Sequence, residues 1–415
     1  MGVVITDVTG IYPAADRAAA LAQVERRDEI WTGRMASVNR HLAAVGGPEL
    51  GQAPAVASLY FEDPEGEFPV ASVEDIPPAL VTIGERLSLH VIETLVDRGG
   101  PIPKGVHITT GDAETDISKP TFLCALGVPV APELVGTAYD PIGLFPRVRG
   151  LRKPSVSRVV EASASASVAL LDAVARIEDG TSECGIVVSS SARLIPLPFE
   201  TVHVGGGPTR AALPFEDAAS GHFASEGAVG LVLRDEEAAV RDGVPALARV
   251  SGYAYGTFGS SVVNRLVVAD VTLRALDAAG LDPQTPVLVD LYGRGNRIDD
   301  GAELAAMEKV RERYPHLATA YLKGDRHYVI GSHGLQGLVR LLDARATGVS
   351  VTELAAHPES DLLAARPVRH LVADPADYAH VVFLGYSVHG SVVAVVLDLS
   401  AGAVGVRDTE PGRAA

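Results

Sequence analysis

Short apolar runs alternate with amphipathic stretches along the whole chain. The runs predict eight buried strands, at Val3–Thr6, Val106–Thr109, Ser155–Val160, Ile186–Val188, Val229–Leu233, Val287–Leu291, Val381–Leu384 and Val392–Leu397. Between them, apolar residues recur at helical spacing and predict helices at Leu87–Arg98, Ser165–Ile177, Arg265–Ala278, Ala302–Arg313 and Leu335–Ala344. Strands that alternate with helices in this way are typical of α/β proteins with largely buried sheets.

Polar and loop-forming stretches divide this pattern. The segment Arg234–Gly243 (RDEEAAVRDG) is the most polar break between predicted strands. It suggests an N-terminal half over residues 1–240 and a C-terminal half over residues 241–415, with the boundary near Arg234–Pro245. Gln52–Ile76 and Ser191–Ala212 are rich in proline, glycine and polar residues, so we expect long loops there.

Composition narrows the function classes. The chain has 415 residues, 47% of them hydrophobic, which is enough for a large core. A net charge of −17 argues against general nucleic-acid binding. Two cysteines form neither a disulfide framework nor a zinc site by themselves, and we expect no metal. No apolar run approaches the ~20 residues of a membrane span and no signal peptide is evident, so we expect a cytoplasmic protein without membrane contact.

The stretch Val159–Gly180 (VVEASASASVALLDAVARIEDG) carries the most chemical information. It predicts a buried strand, an abrupt turn through small residues and then a helix. Such a turn holds one side chain at the positive end of a helix, where backbone N–H groups are unpaired. Enzymes use this place for a nucleophile, and here the turn offers serines but no cysteine.

Five segments along the chain carry recognisable motifs. The segments are LRKPSV (151–156) followed by Ala162-Ser163, PFED (214–217) with SGHF (220–223) and SEGAVG (225–230), DLYGRGN (290–296) with Asp299, Asp300 and Glu303, KGDRHYVIGSHG (323–334), and SVHGS (387–391). In this order they resemble the motifs of the β-ketoacyl synthase family. Each match is weak alone, but their order and spacing together span most of the chain. The resemblance implies the thiolase fold, a five-layer α-β-α-β-α arrangement of two pseudo-symmetric halves.

The resemblance also implies partners. Members of this family take acyl chains from an acyl carrier protein, on its 4′-phosphopantetheine arm, and need no cofactor of their own. They dimerise, so a homodimer or a heterodimer with a ketosynthase is expected here. Carrier proteins are acidic, and a basic group of residues in this acidic chain is the predicted docking site: Arg147, Arg149, Arg152 and Lys153.

The departures from the family pattern concern its reactive groups. Counting back from Gly180 places Ser163 where the family has its cysteine, whereas matching VEASAS directly places Ala164 there; we prefer Ser163. Tyr292 and Tyr328 stand where the family has its two histidines. Serine is a poor nucleophile without a base, and tyrosine has a pKa near 10, so decarboxylative condensation is not expected.

Other residues are assigned roles by position. Lys323 and Glu303 remain at family positions, and His333 or His389 is a possible replacement for the lost base. The resemblance places four residues around the acyl pocket: Ala164, Phe223, Val388 and Ser391. Ser163 either accepts an acyl group or only fills the turn. The two tyrosines either hold a carbonyl or fill a former active site.

Three functions are consistent with these residues. The first is a non-condensing partner of a ketosynthase, similar to the chain-length factors of polyketide synthases. The second is an acyltransferase, cyclase or thioesterase that uses Ser163 on a carrier-bound thioester. The third is an acyl-binding scaffold without catalysis.

Overall fold

The computed structural model describes residues 2–14, 17–44, 49, 60–69, 81–98, 100–112, 148, 150–192, 214–215, 225–259, 262–323, 328–348, 375–387 and 390–400. Most of the two predicted loops lies outside these residues, as do five residues given roles above: Arg147, Arg149, Phe223, Val388 and His389.

The described residues form ten strands and eight α-helices, which are joined by turns and loops. The strands are β1 (Val3–Ile11), β2 (His107–Gly111), β3 (Ser155–Val159), β4 (Cys184–Ser191), β5 (Gly227–Asp235), β6 (Ala248–Thr257), β7 (Val287–Asp290), β8 (Leu317–Ala320), β9 (His380–Tyr386) and β10 (Ser391–Asp398). The helices are α1 (Arg17–Ala44), α2 (Pro64–Glu67), α3 (Ile83–Arg98), α4 (Ser165–Glu178), α5 (Glu236–Arg241), α6 (Arg265–Ala278), α7 (Arg297–Arg311) and α8 (His333–Thr347). No helix of these residues is long and apolar enough to cross a membrane.

The strand order shows an internal repeat. The strands form one sheet in the order β3-β2-β4-β5-β1-β6-β10-β9-β7-β8. Counted from the centre of the sheet outward, the first half has the order β1-β5-β4-β2-β3 and the second half has the order β6-β10-β9-β7-β8. Each strand of one half thus has a counterpart at the same position in the other half. The directions match too, because the two inner pairs of each half are antiparallel and the two outer pairs are parallel. The chain is therefore built from two pseudo-symmetric halves, joined where β1 pairs antiparallel with β6.

Successive side chains on a strand point to opposite faces, and here they enter different cores. Val232 packs on the α3 side of the first half, whereas its neighbour Leu231 faces a central core. In the second half, Val395 faces the same central core and Val396 packs on the side of α6 and α7. The central core also holds α4 and α8. The five layers are thus α3, the half-sheet of the first half, the pair α4 and α8, the half-sheet of the second half, and the pair α6 and α7. This is the expected five-layer α-β-α-β-α arrangement.

All eight predicted strands and five predicted helices are present, with ends shifted by a few residues. Five elements were missed: α1, α2, α5, β6 and β8. The short helix α2 lies inside the predicted loop Gln52–Ile76, and α5 lies inside the polar segment Arg234–Gly243. The β6 sequence ARVSGYAYGT contains two glycines and lacks a continuous apolar run, and β8 is only four residues long. The division of the halves at residue 240 stays a prediction; α5 lies between the last strand of the first half and the first strand of the second.

Candidate functional site

The predicted strand–turn–helix around Ser163 is present. After β3 the chain makes one turn of 3₁₀ helix, Ala162–Ala164, and enters α4 directly. Ala162 has a φ of 46°, a left-handed value that is unusual for a residue with a side chain. Ser165 stabilises the turn, because its Oγ accepts from the Glu161 amide at 2.8 Å and lies 2.7 Å from the Ala162 carbonyl and 2.9 Å from that of Asp112.

Ser163 and Ala164 both lie in this turn, and either one can correspond to the cysteine of the family. Ala164 is fully buried, and Ser163 is 6% exposed. The Ser163 hydroxyl lies against the phenol of Tyr292, and this side-chain contact lowers the Tyr292 pKa against the larger effect of burial. A phenol that stays protonated is not a base, so it does not activate the serine. A nearby backbone donor, the Ala166 amide at the start of α4, is already bound to the Gly331 carbonyl at 3.0 Å. One backbone N–H group fewer is therefore available at the start of α4 to stabilise an anion that forms during a reaction.

Tyr292 and Tyr328 meet in the interior of the protein. Their hydroxyl oxygens are 2.7 Å apart, and the Tyr292 hydroxyl lies 3.5 Å from the Ser163 carbonyl oxygen. The Tyr292 ring packs edge-on against His333 and is tilted against Tyr386, with both ring centroids 4.8 Å away. Burial, together with Tyr328, raises the pKa of Tyr292 well above its ordinary value, so this phenol stays protonated.

His333 begins α8 beside this pair, and both of its ring nitrogens are engaged. Nε2 lies 2.8 Å from the carbonyl oxygen of Tyr292 and 3.2 Å from that of Gly293, so Nε2 carries the proton. Nδ1 lies 2.6 Å from Oε1 of Gln336, and an unprotonated Nδ1 needs a donor at that place. Because Nε2 of Gln336 is buried without a partner, we assign the amide with its O and N exchanged, so that the NH₂ group donates to Nδ1. Burial, followed by the charge of Lys323, lowers the pKa of His333 to about 3. The imidazole is therefore a neutral, fully bonded support for the loop.

Glu303 is a support of the same loop. Its carboxylate accepts from the amides of Tyr292 at 2.6 Å and Gly293 at 3.0 Å, and from the Tyr386 hydroxyl at 2.9 Å. Burial raises the pKa of Glu303 to about 7, and the two amide donors oppose that rise. These bonds direct the carboxylate to the backbone of the loop.

Two further carboxylates complete this arrangement. Asp300 accepts from the amides of Arg294 at 2.9 Å and Gly295 at 3.1 Å. Asp299 accepts from the Arg294 guanidinium at 2.9 Å and from the side chain of Asn296 at 2.8 Å. Sequence reasoning placed both aspartates in a family motif without a role. We define the carboxylate-held loop as residues 291–296, which Glu303, Asp300 and Asp299 fix from the first two turns of α7.

Lys323 is buried and pairs with a residue that the sequence did not single out. Its Nζ lies 2.7 Å from Asp290 and donates to the Leu291 carbonyl at 2.8 Å. The Asp290 carboxylate also accepts from the Leu322 amide at 2.8 Å. A Cβ at Gly337 would lie 2.0 Å from this carboxylate, so only glycine fits at that point of α8. This ion pair joins β7 to the segment after β8.

The remaining described site residues lie at the edge of the cluster. Ser391 begins β10, and its hydroxyl bonds to the Glu161 carboxylate and lies 3.1 Å from the Tyr255 hydroxyl. Arg152 and Lys153 are exposed, as a docking surface requires. Within the described part of the chain, no group of three or more histidine, cysteine, aspartate or glutamate side chains is placed to hold a metal.

The described cysteine, Cys184, is not placed for nucleophilic chemistry. It lies in β4, and burial raises the pKa of its thiol to about 12. A thiol of that kind is inert as a nucleophile. Cys124 lies outside the described residues.

Known proteins resemble this chain in sequence over part of its length. No protein-family model matches it. It is 30% identical over 205 residues to a non-reducing polyketide synthase of Emericella nidulans, covering 46% of this chain and 8% of that protein. It is 27% identical over 273 residues to the oxytetracycline polyketide putative beta-ketoacyl synthase 1 of Streptomyces rimosus, covering 61% of this chain and 60% of that protein. The chain thus spans less than a tenth of the length of the fungal relatives.

Solved structures resemble it over nearly its whole length. The ishigamide ketosynthase/chain length factor matches with a TM-score of 0.69 at 17% identity, covering 96% of this chain and 98% of that one. An oxazolomycin ketosynthase domain from Streptomyces albus matches with a TM-score of 0.68 at 19% identity, covering 96% and 75%. These matches establish the thiolase fold, which the strand order and the layers show independently. The chain therefore has the thiolase fold of the ketosynthase structures that it resembles.

Proposed function

We propose that this chain is a non-condensing, ketosynthase-like subunit of a polyketide-type synthase. It pairs with an active ketosynthase, as a chain-length factor does, and handles acyl chains on the 4′-phosphopantetheine arm of an acyl carrier protein. The observation that carries the proposal is the Tyr292–Tyr328 pair. The two phenols stand where the resemblance implies histidines, are bonded to each other at 2.7 Å, and are 0% and 3% exposed.

The chemistry of the site argues against condensation. Condensation needs a thiolate nucleophile and two groups that polarise a thioester carbonyl. The turn supplies the Ser163 hydroxyl with no described base, and the described imidazole beside the two tyrosines, that of His333, is fully bonded and has a pKa of about 3. Losing one general acid–base partner typically costs ~10²–10⁴-fold in rate. Losing the thiol and both partners together leaves no measurable condensation.

The retained framework supports a structural role beside an active subunit. The carboxylate-held loop, the Lys323–Asp290 pair and the turn at Ser165 are all fully bonded. The relatives are consistent with a polyketide setting, since several are polyketide synthases and one solved structure is a ketosynthase/chain length factor. A homodimer is the alternative assembly.

Co-expression tests the partnership. The chain is produced together with a ketosynthase and a carrier protein from its own host, and the purified complex is analysed by native mass spectrometry. A 1:1 complex of the chain with the ketosynthase is the expected result. The matched control is production of each protein alone. A stable homodimer that takes up no ketosynthase would contradict the partnership.

Ser163 sustains a second candidate, acyl transfer from a carrier-bound thioester. Its hydroxyl lies at the strand-to-helix turn, 6% exposed and next to the Tyr292 phenol, which could donate to the carbonyl oxygen of a thioester. Intact-mass analysis after incubation with acyl carrier protein tests this function, with Ser163→Ala as the test variant and Ser400→Ala, an exposed serine after β10, as the control. Acylation that is lost only in Ser163→Ala would favour transfer. If neither the wild type nor any variant is acylated, the functions that remain are the non-condensing subunit and the acyl-binding scaffold.

A further inference from the structure

A second cluster of serine, histidine and aspartate lies at the end of β3 that is opposite to Ser163. His107 begins β2, Ser155 begins the edge strand β3, and the two residues are partners in the parallel register of these strands. His107 Nδ1 lies 2.6 Å from the Ser155 hydroxyl oxygen, and Nε2 lies 2.8 Å from that of Ser157. His107 is 6% exposed, whereas Ser155 is exposed, so solvent reaches the serine while the imidazole is largely shielded.

Asp172 on α4 completes this cluster. Its Oδ2 accepts from the hydroxyls of Ser157 and Thr109, both at 3.2 Å, and from the Arg176 guanidinium at 2.9 Å. The His107 ring does not bond to this carboxylate directly, because Nε2 and Oδ2 are 4.0 Å apart. Ser157 therefore stands between the imidazole and the carboxylate and connects them.

The bonds to Asp172 fix the positions of the protons. A carboxylate only accepts, so the single hydroxyl hydrogen of Ser157 points to Asp172. The Ser157 oxygen then accepts from Nε2–H of His107, which leaves Nδ1 without a proton and facing Ser155. Burial, followed by the charge of Arg176, lowers the pKa of His107, so the imidazole is neutral near pH 7. His107 is therefore placed to take the proton of Ser155.

This arrangement differs from the one beside Ser163. There the imidazole of His333 is engaged by two backbone carbonyls and a side-chain amide, so it has no nitrogen for a serine. In the second cluster, His107 directs an unprotonated nitrogen at the exposed hydroxyl of Ser155. A serine that is bonded to a neutral base, which is itself oriented by a further group, is the arrangement that activates a nucleophile.

The surroundings of Ser155 are positively charged. The segments that lead into β2 and β3, residues 100–107 and 150–157, contain no acidic residue and three cations, all exposed: Lys104, Arg152 and Lys153. The two segments lie side by side, because the Gly105 amide donates to the Arg152 carbonyl at 3.1 Å. In a chain that carries −17, this local positive charge favours a substrate with a negative charge.

We propose that Ser155 is a second reactive serine, which hydrolyses short acyl esters that carry a negative charge. The Ser155 oxygen attacks the carbonyl carbon of the ester while its proton passes to Nδ1 of His107. The ester C–O bond breaks, and the leaving alcohol takes that proton, so that the acyl group remains on Ser155.

Water completes the reaction. It gives a proton to Nδ1 of His107 and attacks the acyl carbonyl, the bond to Ser155 breaks, and Ser155 recovers the proton as the carboxylic acid is released. Ser157 and Asp172 are positioning residues, because they hold the His107 ring in the tautomer that accepts the proton. This activity is independent of the function proposed for the Ser163 site.

Release of 4-nitrophenol from two esters tests the proposal. Mono-4-nitrophenyl adipate has a terminal carboxylate, and 4-nitrophenyl hexanoate has the same chain length without it. We expect the wild type to hydrolyse both esters, with the higher kcat/KM for the adipate ester. Ser155→Ala lowers the rate to that measured without protein, and His107→Gln lowers it by ~10²-fold or more. The matched control Ser400→Ala, an exposed serine after β10, keeps the wild-type rate.

A second variant tests the positioning role. Asp172→Asn can donate to Ser157, which frees the serine hydrogen to turn toward His107 and disfavours the reactive tautomer. We therefore expect kcat to fall with KM little changed and with an unchanged Tm. A rise in KM with kcat unchanged would overturn the positioning role.

Labelling identifies the serine that reacts. A fluorophosphonate forms a covalent bond to an activated serine oxygen and releases fluoride, and peptide mapping of the labelled wild type is expected to place the label on Ser155. This result does not depend on how well Ser155→Ala folds. A label on Ser163 instead, or equal hydrolysis by wild type and Ser155→Ala, would overturn the proposal. Folded wild type that hydrolyses neither ester would overturn it too and leave the function proposed for the Ser163 site intact.

Discussion

The serine turn before α4 and the carboxylate-held loop before α7 contribute to one site but are stabilised differently. The loop is fixed by three buried carboxylates, and Glu303 alone satisfies two amides and a phenol. The turn depends mainly on one hydroxyl, that of Ser165, while the Ser163 hydroxyl contacts the Tyr292 phenol. Buried carboxylates thus hold the backbone of the site, whereas hydroxyl groups occupy the positions where the resemblance implies reactive side chains.

The largest expected effect comes from removing a carboxylate of the loop. Glu303→Ala leaves three buried donors without an acceptor, and each costs ~1–3 kcal/mol, so we expect a loss of about 3 kcal/mol or more in the free energy of unfolding. Denaturant unfolding measures it. Glu308→Ala, an exposed position on the same helix, is the control and stays within about 0.5 kcal/mol of wild type. Equal losses in both variants would show that the loop does not depend on Glu303.

The second effect depends on pH and concerns His333. Its pKa falls to about 3 in the folded protein, whereas the unfolded chain binds the proton near pH 6.5. The stability contributed by neutral His333 is therefore complete above pH 6.5 and is lost as the pH falls toward 3. Relative to His333→Asn, wild type loses about 2 kcal/mol between pH 6.5 and 5, at ~1.4 kcal/mol per pH unit.

Unfolding curves of the two proteins at both pH values check this prediction. Glu303 and Asp300 have raised pKa values, so their contribution to the free energy of unfolding falls as the pH rises. Both residues are present in both proteins, so this contribution cancels in the comparison. Parallel pH profiles of wild type and His333→Asn would contradict a neutral, fully bonded imidazole.

A smaller effect comes from the phenol pair. Tyr292→Phe and Tyr328→Phe each remove one side of the 2.7 Å bond. We expect losses of about 1–2 kcal/mol each, with the double variant less destabilised than the sum of the two by ~0.5 kcal/mol or more. A double-mutant cycle from denaturant unfolding gives the coupling energy. Additive losses would mean that the two hydroxyls do not stabilise each other.

The smallest effects distinguish the serines of the turn. Ser165→Ala removes the bonds to Glu161 and to two carbonyls and is expected to cost about 1 kcal/mol. Ser163→Ala removes one contact of the Tyr292 phenol and is expected to cost about 0.5 kcal/mol, less than Ser165→Ala. Thermal unfolding of the two variants side by side compares them. A larger loss for Ser163→Ala than for Ser165→Ala would show that the turn depends more on the Ser163 hydroxyl.

The sequence predicted the local features of this fold better than the contacts between distant segments. The strand–turn–helix at Ser163 followed from apolar periodicity and small residues, which act locally. The pairing of Lys323 with Asp290 did not, because it joins segments that meet only once the second half-sheet has formed. Helix α1 was missed because its apolar residues form no strong stripe on one face.

The sequence also left two interpretations of the tyrosines open: they either hold a carbonyl or fill a former active site. In the structure Tyr292 and Tyr328 are bonded to each other and buried beside Ser163, the arrangement that filling requires. Binding of a carbonyl stays a prediction. The sequence gives positions in the chain without the depth at which each side chain lies, so it could not separate the two interpretations.

The central claim is that the chain does not condense, and a condensation assay tests it most directly. The purified chain is incubated with acyl carrier protein loaded with an acyl group and with carrier protein loaded with malonyl, and the carriers are analysed by intact mass. The account predicts no β-ketoacyl product above the level of carriers incubated without the chain, and product once an active ketosynthase is added. A β-ketoacyl carrier formed by the chain alone would contradict it.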